Sequence, residues 1–243
     1  MTLGSKNYSP DKLVEIELFQ ATVIERDSRV TVLIERSDGR KLRAHLRNTG
    51  RLEGLIHPDS RVDCQPTGEG QTKARVISAY SKGEPVLLDT HIHMIAVERS
   101  ILSGLIPWLN PQQLIKKEVS VSGRRFDYQI QVGSKKGFLE MKSAVEDKGG
   151  WGMYPDAPTT RGLEHVKLLS ELGREGTPCY VVFVLTNPNS MRFKPNTAIQ
   201  PEIRGELQSA TLHGVKIRGV KITVDTSGHV QLDNSCVPIH LDA

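Results

Sequence analysis

The sequence predicts a two-domain α/β protein, with a small β-barrel over 13–82 followed by a sheet with flanking helices over 83–243. Three observations predict it. Short alternating runs broken by turn residues crowd the first third of the chain, which is how the strands of a small barrel read. Beyond them, helical apolar stripes alternate with strands, as in an α/β layer structure. One late run, Cys179–Leu185 (CYVVFVL), is apolar throughout, as a strand covered on both faces must be.

At 243 residues, 37% hydrophobic and 25% charged, the chain has room for two ordinary domains. It contains no run of about 18 apolar residues, the minimum for a spanning helix. Its polar start, MTLGSKNYSPDK, lacks the apolar segment of a signal peptide. A cytoplasmic chain with no membrane partner is therefore expected. Cys64, Cys179 and Cys236 are odd in number and far apart, which fits neither a disulfide framework nor a zinc ribbon. The net charge of +4 permits a polyanionic partner without requiring one.

Residues 1–12 read as a loose leader. Strands are expected at Leu18–Glu25, Val30–Arg36, Lys41–Leu46, Arg61–Gln65 and Lys73–Ala79, with Ser37-Asp38-Gly39 turning the second onto the third. Five strands in about 65 residues suit an OB-like barrel. Within it, Arg40–Arg51 carries Arg40, Lys41, Arg43, Arg47 and Arg51 and no acid. Such a strand and loop can track a phosphate backbone, with Arg43 and Arg47 as contacts. A solvated hairpin face is the competing reading, and aromatics that would stack bases are nearly absent.

A boundary is expected at Ser81–Glu84. The apolar run Pro85–Asp89 then enters Thr90-His91-Ile92-His93, which resembles the first metal motif of the amidohydrolases. About 150 residues remain, too few for their barrel of about 250. A metallohydrolase at Asp89, His91 and His93 is thus a third-rank reading, and a helix is expected at Ile95–Ser103. Gln112–Val121 reads as a strand, and Ser143–Asp156 as a Gly-rich loop beside the candidate site. Thr159 or Thr160 caps a helix with the stripe Leu163, Val166, Leu169 and Leu172, placing Arg161 and His165 near its less apolar side. Cys179–Leu185, a loop over Thr186–Asn196, a helix from Pro201 to about His213, a strand at Val215–Val224 and a tail complete the chain.

The chemistry concentrates in RRFDYQIQVGSKKGFLEMK, Arg124 to Lys142. Two alternating runs around Gly133–Gly137 predict a β-hairpin. Alternation puts Glu140 and Lys142 on one face, and Asp127 opposite Phe126, Tyr128 and Ile130. Closing the hairpin brings Asp127 to Glu140 and Lys142. Two carboxylates beside an amine can hold Mg²⁺ or Mn²⁺ next to a group that orients water or a phosphate, which is a nuclease-like constellation. The Met141 carbonyl is a further expected ligand, and Glu118 a third acidic candidate. The plain alternative is a cross-strand ion pair on a surface hairpin.

Several motifs in order give this chain a wider resemblance. They are Arg47-Asn48-Thr49-Gly50 with Gly54, Leu88-Asp89-Thr90, Arg125-Phe126-Asp127 and Glu140-Met141-Lys142-Ser143. Tyr154-Pro155-Asp156-Ala157 follows with Thr160-Arg161-Gly162 and His165, then Arg192-Phe193-Lys194-Pro195 and Gly214-Val215. From about Val23 to Val224 the chain resembles the sugar fermentation stimulation protein (SfsA) family. It departs at His91 and His93, where the family often has Asn, and at Gln200, where an acid is common. The resemblance implies an N-terminal OB-like domain joined to a PD-(D/E)xK restriction-endonuclease-like domain. It implies DNA binding and a link to sugar (maltose) metabolism. Asp127, Glu140 and Lys142 fall on the catalytic motif, with Glu118 upstream. Asn48, Arg125, Arg161 and His165 join Arg43 and Arg47 as candidate nucleic-acid contacts; Asn48 is equally a turn-former, and His165 a proton-transfer group or a packed histidine. Expected, then, is a DNA-binding protein with a divalent-metal nuclease centre that hydrolyses phosphodiesters. The alternative is a non-cleaving DNA-binding regulator on the same scaffold. A homodimer is compatible with either.

Overall fold

The computed structural model describes residues 8–68, 70–110 and 113–242. The first seven residues of the expected leader, and Gln112 at the start of an expected strand, lie outside the described residues. The first strand, β1 (Val14–Glu15), does not join the barrel. Leu13 and Ile16 are buried in the core of the second domain, so the chain begins there and then crosses over.

The barrel follows as β2 (Phe19–Ser28), β3 (Thr31–Arg36), β4 (Lys41–Leu46), β5 (Arg61–Pro66) and β6 (Ala74–Ser81). Sheet order is β4-β3-β2-β5-β6, and a parallel pairing of β4 with β6 (Leu46 opposite Val76) closes it. Alternate residues, among them Val23, Val32, Ile34, Ala44, Leu46 and Val76, fill the interior. Gly39, at φ +80°, supplies the left-handed turn between β3 and β4. A further strand, β7 (Glu84–Leu87), pairs with β6, so the barrel sheet runs past the expected boundary at 82.

Helix α1 (Thr90–Leu102) starts five residues earlier than expected because Asp89 caps it, accepting from the amides of His91 (2.9 Å) and Ile92 (3.1 Å). This overturns the amidohydrolase-like reading. Asp89 also lies 3.1 Å from Arg75, His91 is exposed, and His93 is buried between the Leu87 carbonyl (3.0 Å) and the Ser143 hydroxyl (2.9 Å). Burial pushes the His93 pKa down to about 4, which keeps it neutral.

The second domain continues through β8 (Leu114–Val121), β9 (Arg124–Val132), β10 (Lys135–Ala144), β11 (Glu146–Lys148), β12 (Trp151–Tyr154), α2 (Thr160–Arg174), β13 (Cys179–Leu185), β14 (Arg192–Pro195), α3 (Ile203–Leu212), β15 (Lys216–Val224) and β16 (His229–Asn234). Its main sheet has the order β1-β16-β15-β13-β10-β9-β8, with β10, β13 and β15 parallel at the centre. On β13, Tyr180, Val182 and Val184 face α1, while Val181, Phe183 and Leu185 face α2 and α3. That two-sided cover is why the strand reads as continuously apolar. The expected loop at Ser143–Asp156 instead forms β11 and β12, which build a small sheet with β14. The expected tail forms β16, which pairs antiparallel with β15. No helix among the described residues is long and apolar enough to cross a membrane.

Two contacts lock the two domains, and a third braces the barrel where the chain leaves it. The Asn48 amide donates to the Leu88 carbonyl (3.2 Å), Thr90 donates twice to the Arg47 carbonyl (3.1 and 2.8 Å), and Gly50 abuts the Asp156 carboxyl. A Cβ at Gly50 would fall 1.7 Å from an Asp156 oxygen. Gly50→Ala is therefore expected to destabilise by about 1–3 kcal/mol, the range for overpacking. Adding Asp156→Ala should recover most of it in urea titrations; a Gly50→Ala protein as stable as the parent would show that the seam is loose.

Candidate metal and nucleic-acid site

The β9–β10 hairpin forms with its turn at Gly133-Ser134, and the strands stay paired only as far as Tyr128 opposite Leu139. Beyond that point side chains replace the ladder. The Met141 amide donates to Asp127 Oδ2 (2.6 Å), and the Asp127 amide donates to Glu140 Oε2 (3.4 Å). The interruption turns the strand. Phe126 packs against Phe138 and the His165 ring under α2, whereas Tyr128 and Ile130 face α1. The expected common face for Phe126, Tyr128 and Ile130 is thus split, because two carboxylates occupy the place of strand hydrogen bonds.

Asp127, Glu140 and Lys142 do come together. Glu140 is 4% exposed, and its Oε1 accepts from Lys142 Nζ (2.7 Å) and lies 2.5 Å from His165 Nδ1. Burial pushes the Glu140 carboxyl up in pKa, but Lys142 and His165 together hold it below the ordinary value. Lys142 is held above its ordinary value by Glu140 in spite of its own burial. Asp127 behaves oppositely: burial, then the Glu140 charge beside it, push its pKa up to about 7. Its remaining oxygen, Oδ1, accepts no hydrogen bond from the described residues.

Asp127, Met141 and Lys142 line the floor of a cleft of about 690 Å³ between the domains, with Glu140 buried behind them. The barrel supplies one wall, Arg29–Val30 and His45–Gly50, and Tyr154–Thr159 with Arg161 supply the other. Helix α2 is fixed there by Thr159, whose hydroxyl caps the Gly162 amide (3.0 Å). Close approach of the Tyr154 hydroxyl leaves no room for a side chain at Gly162.

Other expected site residues are placed differently. Glu118 has φ +50° and an exposed carboxylate 4.0 Å from Arg125, so neither it nor Arg125 joins the cleft. Arg43 lies on the outer barrel surface, paired with Asp27 at 2.8 Å. Asn48 lines the cleft, but its amide is engaged at both ends, accepting from Gly50 N and donating to Leu88 O. His165 is 2% exposed and acts on Glu140 rather than on anything in the cleft. Arg47 and Arg161 line the cleft. Arg29 and Tyr154 also line the cleft, and sequence pattern does not mark them: Arg29 sits in a turn with no local motif, and Tyr154 shows only as part of a longer signature.

Among the described residues no three His, Cys, Asp or Glu side chains form a metal-holding group. A cation here would rest on the Asp127–Glu140 pair, backbone oxygen and water. The donor set suits a hard divalent cation, which takes oxygen ligands and retains waters. Asp127, with Oδ1 accepting no hydrogen bond from the described residues and its pKa raised by burial and the neighbouring Glu140 charge, is the carboxylate short of a counter-charge, so the residues fit the group.

An OB barrel clamped to a restriction-endonuclease-like mixed sheet, with an acidic floor between them, defines the class. The SfsA N-terminal OB domain matches residues 24–88, and the sugar fermentation stimulation protein RE domain matches residues 91–228. The chain belongs to the sugar fermentation stimulation protein family. The Pyrococcus furiosus homolog is 34% identical over 220 residues, covering 90% of this chain and 95% of that one. The Archaeoglobus fulgidus homolog is 37% identical over 186 residues, covering 76% and 80%. The solved structure of Pyrococcus furiosus SfsA in complex with Ca²⁺ superposes with a TM-score of 0.89 at 33% identity, covering 94% of this chain and 99% of that one.

Proposed function

We propose that the cleft is a divalent-metal-dependent nuclease centre that binds nucleic acid, most readily DNA, and hydrolyses phosphodiester bonds. The observation that carries it is the buried Asp127–Glu140–Lys142 group, which presents Asp127 and Lys142 to a cleft walled by arginines. The Ca²⁺ held by the Pyrococcus furiosus relative supports a divalent cation in this fold. For turnover we infer Mg²⁺ or Mn²⁺.

Asp127 and Glu140 would hold the ion, with the Met141 carbonyl the nearest backbone oxygen along the strand. When bound, it would lower the pKa of water and offset charge on the phosphate. The protein does the rest. His165 and Lys142 fix the Glu140 carboxylate by charge-assisted contacts. The Lys142 ammonium also offers protons toward a phosphate oxygen or an attacking water. Arg161, close enough to Asp127 to bias its ionisation, faces a bound backbone from the α2 side. A binding-only role is less well supported, since two acids facing a polyanion repel it unless a cation intervenes.

The test is product formation on labelled DNA with EDTA, Mg²⁺, Mn²⁺ or Ca²⁺, alongside calorimetric titration of Mn²⁺. Products in Mg²⁺ or Mn²⁺ and none in EDTA are expected. Mn²⁺ binding that is unchanged in Glu140→Gln would refute the site.

A further inference from the structure

We infer that the cleft accepts an unpaired nucleic-acid strand and excludes an intact duplex. The chemistry rests on the nuclease reading above, but the binding preference stands on the shape of the cleft alone. Asp127 lies at the floor and Glu140, 4% exposed, is buried behind it, so neither acid stands on an open face. The second wall is the barrel, held in place by the Thr90–Arg47 and Gly50–Asp156 contacts. To reach Asp127, a phosphate must pass between these walls.

The cleft is open along one side, and its volume of about 690 Å³ falls among sites that take a single small molecule, typically about 300–1,000 Å³. One groove of B-DNA is already about 12 Å wide, so a duplex meets the rim rather than the floor. Cations stand on both walls. Arg29 and Arg47 project from the barrel and Arg161 from α2; all three are exposed, with no carboxylate within ion-pairing distance among the described residues. A single backbone threaded between them is neutralised from two sides. The path continues past Thr49 and Gly50 to a second depression lined by Arg26, Arg29 and Arg51 with one acid, Glu53. Met94 and Met141 offer apolar surface to bases, and Tyr154 is the cleft's phenol or indole side chain among the described residues. Recognition is therefore by backbone charge more than by stacking, and DNA and RNA strands share the chemistry it reads.

The experiment uses the full chain and a labelled oligonucleotide, its blunt duplex, and that duplex bearing an unpaired flap, each as DNA and as RNA. Fluorescence anisotropy in Ca²⁺ reads binding, and denaturing gels in Mn²⁺ read cleavage. Expected is at least about tenfold tighter binding of the single strand and flap than of the blunt duplex, with products confined to unpaired segments. Arg47→Ala and Arg161→Ala, on opposite walls, should each weaken strand binding and flatten its log–log salt slope by about 0.7, one phosphate contact. Arg174→Ala, exposed at the far end of α2, serves as the charge-matched control. Equal binding of blunt duplex, or equal loss from the control, overturns the inference. Cleavage within the duplex as efficient as within the flap overturns it while sparing the nuclease reading. Strand preference dependent on both walls with no product in any metal sustains it and sinks the nuclease reading. A better DNA than RNA substrate, or the reverse, names the polymer within the supported class.

Discussion

Asp127→Asn is expected to lower metal-dependent hydrolysis by at least about a hundredfold, since even a residue that only supports a metal ligand is typically worth 10–100-fold. The same substitution should stabilise the metal-free protein at alkaline pH. The Asp127 pKa is near 7 in the folded chain against 3.8 for the ordinary carboxyl. Between those values the folded state keeps a proton that the unfolded chain has released. Stability from this group is therefore fully present below pH 4 and lost as pH rises toward and through 7. The full loss is on the order of 4 kcal/mol, from about three pKa units at 1.36 kcal/mol each. Asn cannot ionise and escapes it. Melting curves in EDTA should thus diverge across that window, with the variant the more stable at high pH. With Mn²⁺ present the order should reverse, because only the ionised parent gains from binding. A variant that cuts like the parent would remove Asp127 from the site, and parallel melting curves would remove the pKa argument.

The architecture was largely legible because it rests on periodicity. The five barrel strands were found within a few residues of their ends, and so was the buried strand at Cys179–Leu185, since alternation and unbroken apolarity are local properties. The hairpin's closure was legible for the same reason, and with it the meeting of Asp127, Glu140 and Lys142. What stayed hidden depended on distant partners. Nothing near Val14 says that it pairs with Val230, and nothing in Ser143–Asp156 says that β14 will order it. His165 read as a flank residue because its helical stripe is apolar, whereas its burial comes from a carboxylate on another strand. Glu118 read as a possible ligand from its type and distance in sequence, but a left-handed backbone carries it away. Arg29 illustrates the general limit. A cleft between two domains is made by their docking, and one-dimensional patterns are silent about docking.

Glu140→Ala is the substitution expected to cost most stability. Lys142 and Glu140 have side chains only 11% and 6% exposed, and Glu140 is also the partner of His165 and of the Asp127 amide. Removing it leaves an ammonium buried beside Asp127 alone. Breaking a buried pair from one side typically costs about 3–5 kcal/mol, most of it the desolvation of the stranded charge. The two pKa directions agree that the pair is bound: Glu140 is lowered and Lys142 raised, each against its own burial. The carboxylate's contribution is present above its ordinary value of 4.5 and lost as pH falls through the folded value. The ammonium's is present below 10.5 and lost as pH climbs past its raised value. The deficit of Glu140→Ala should accordingly be largest on the plateau between those limits and shrink in acid. Replacing Lys142 as well separates charge from shape. Glu140→Ala with Lys142→Met should recover much of the lost stability in urea titrations at neutral pH, while metal-dependent cleavage stays absent in both. Should the single variant prove as stable as the parent, Lys142 does not depend on Glu140 for its charge, and its role beside a phosphate would need another anchor.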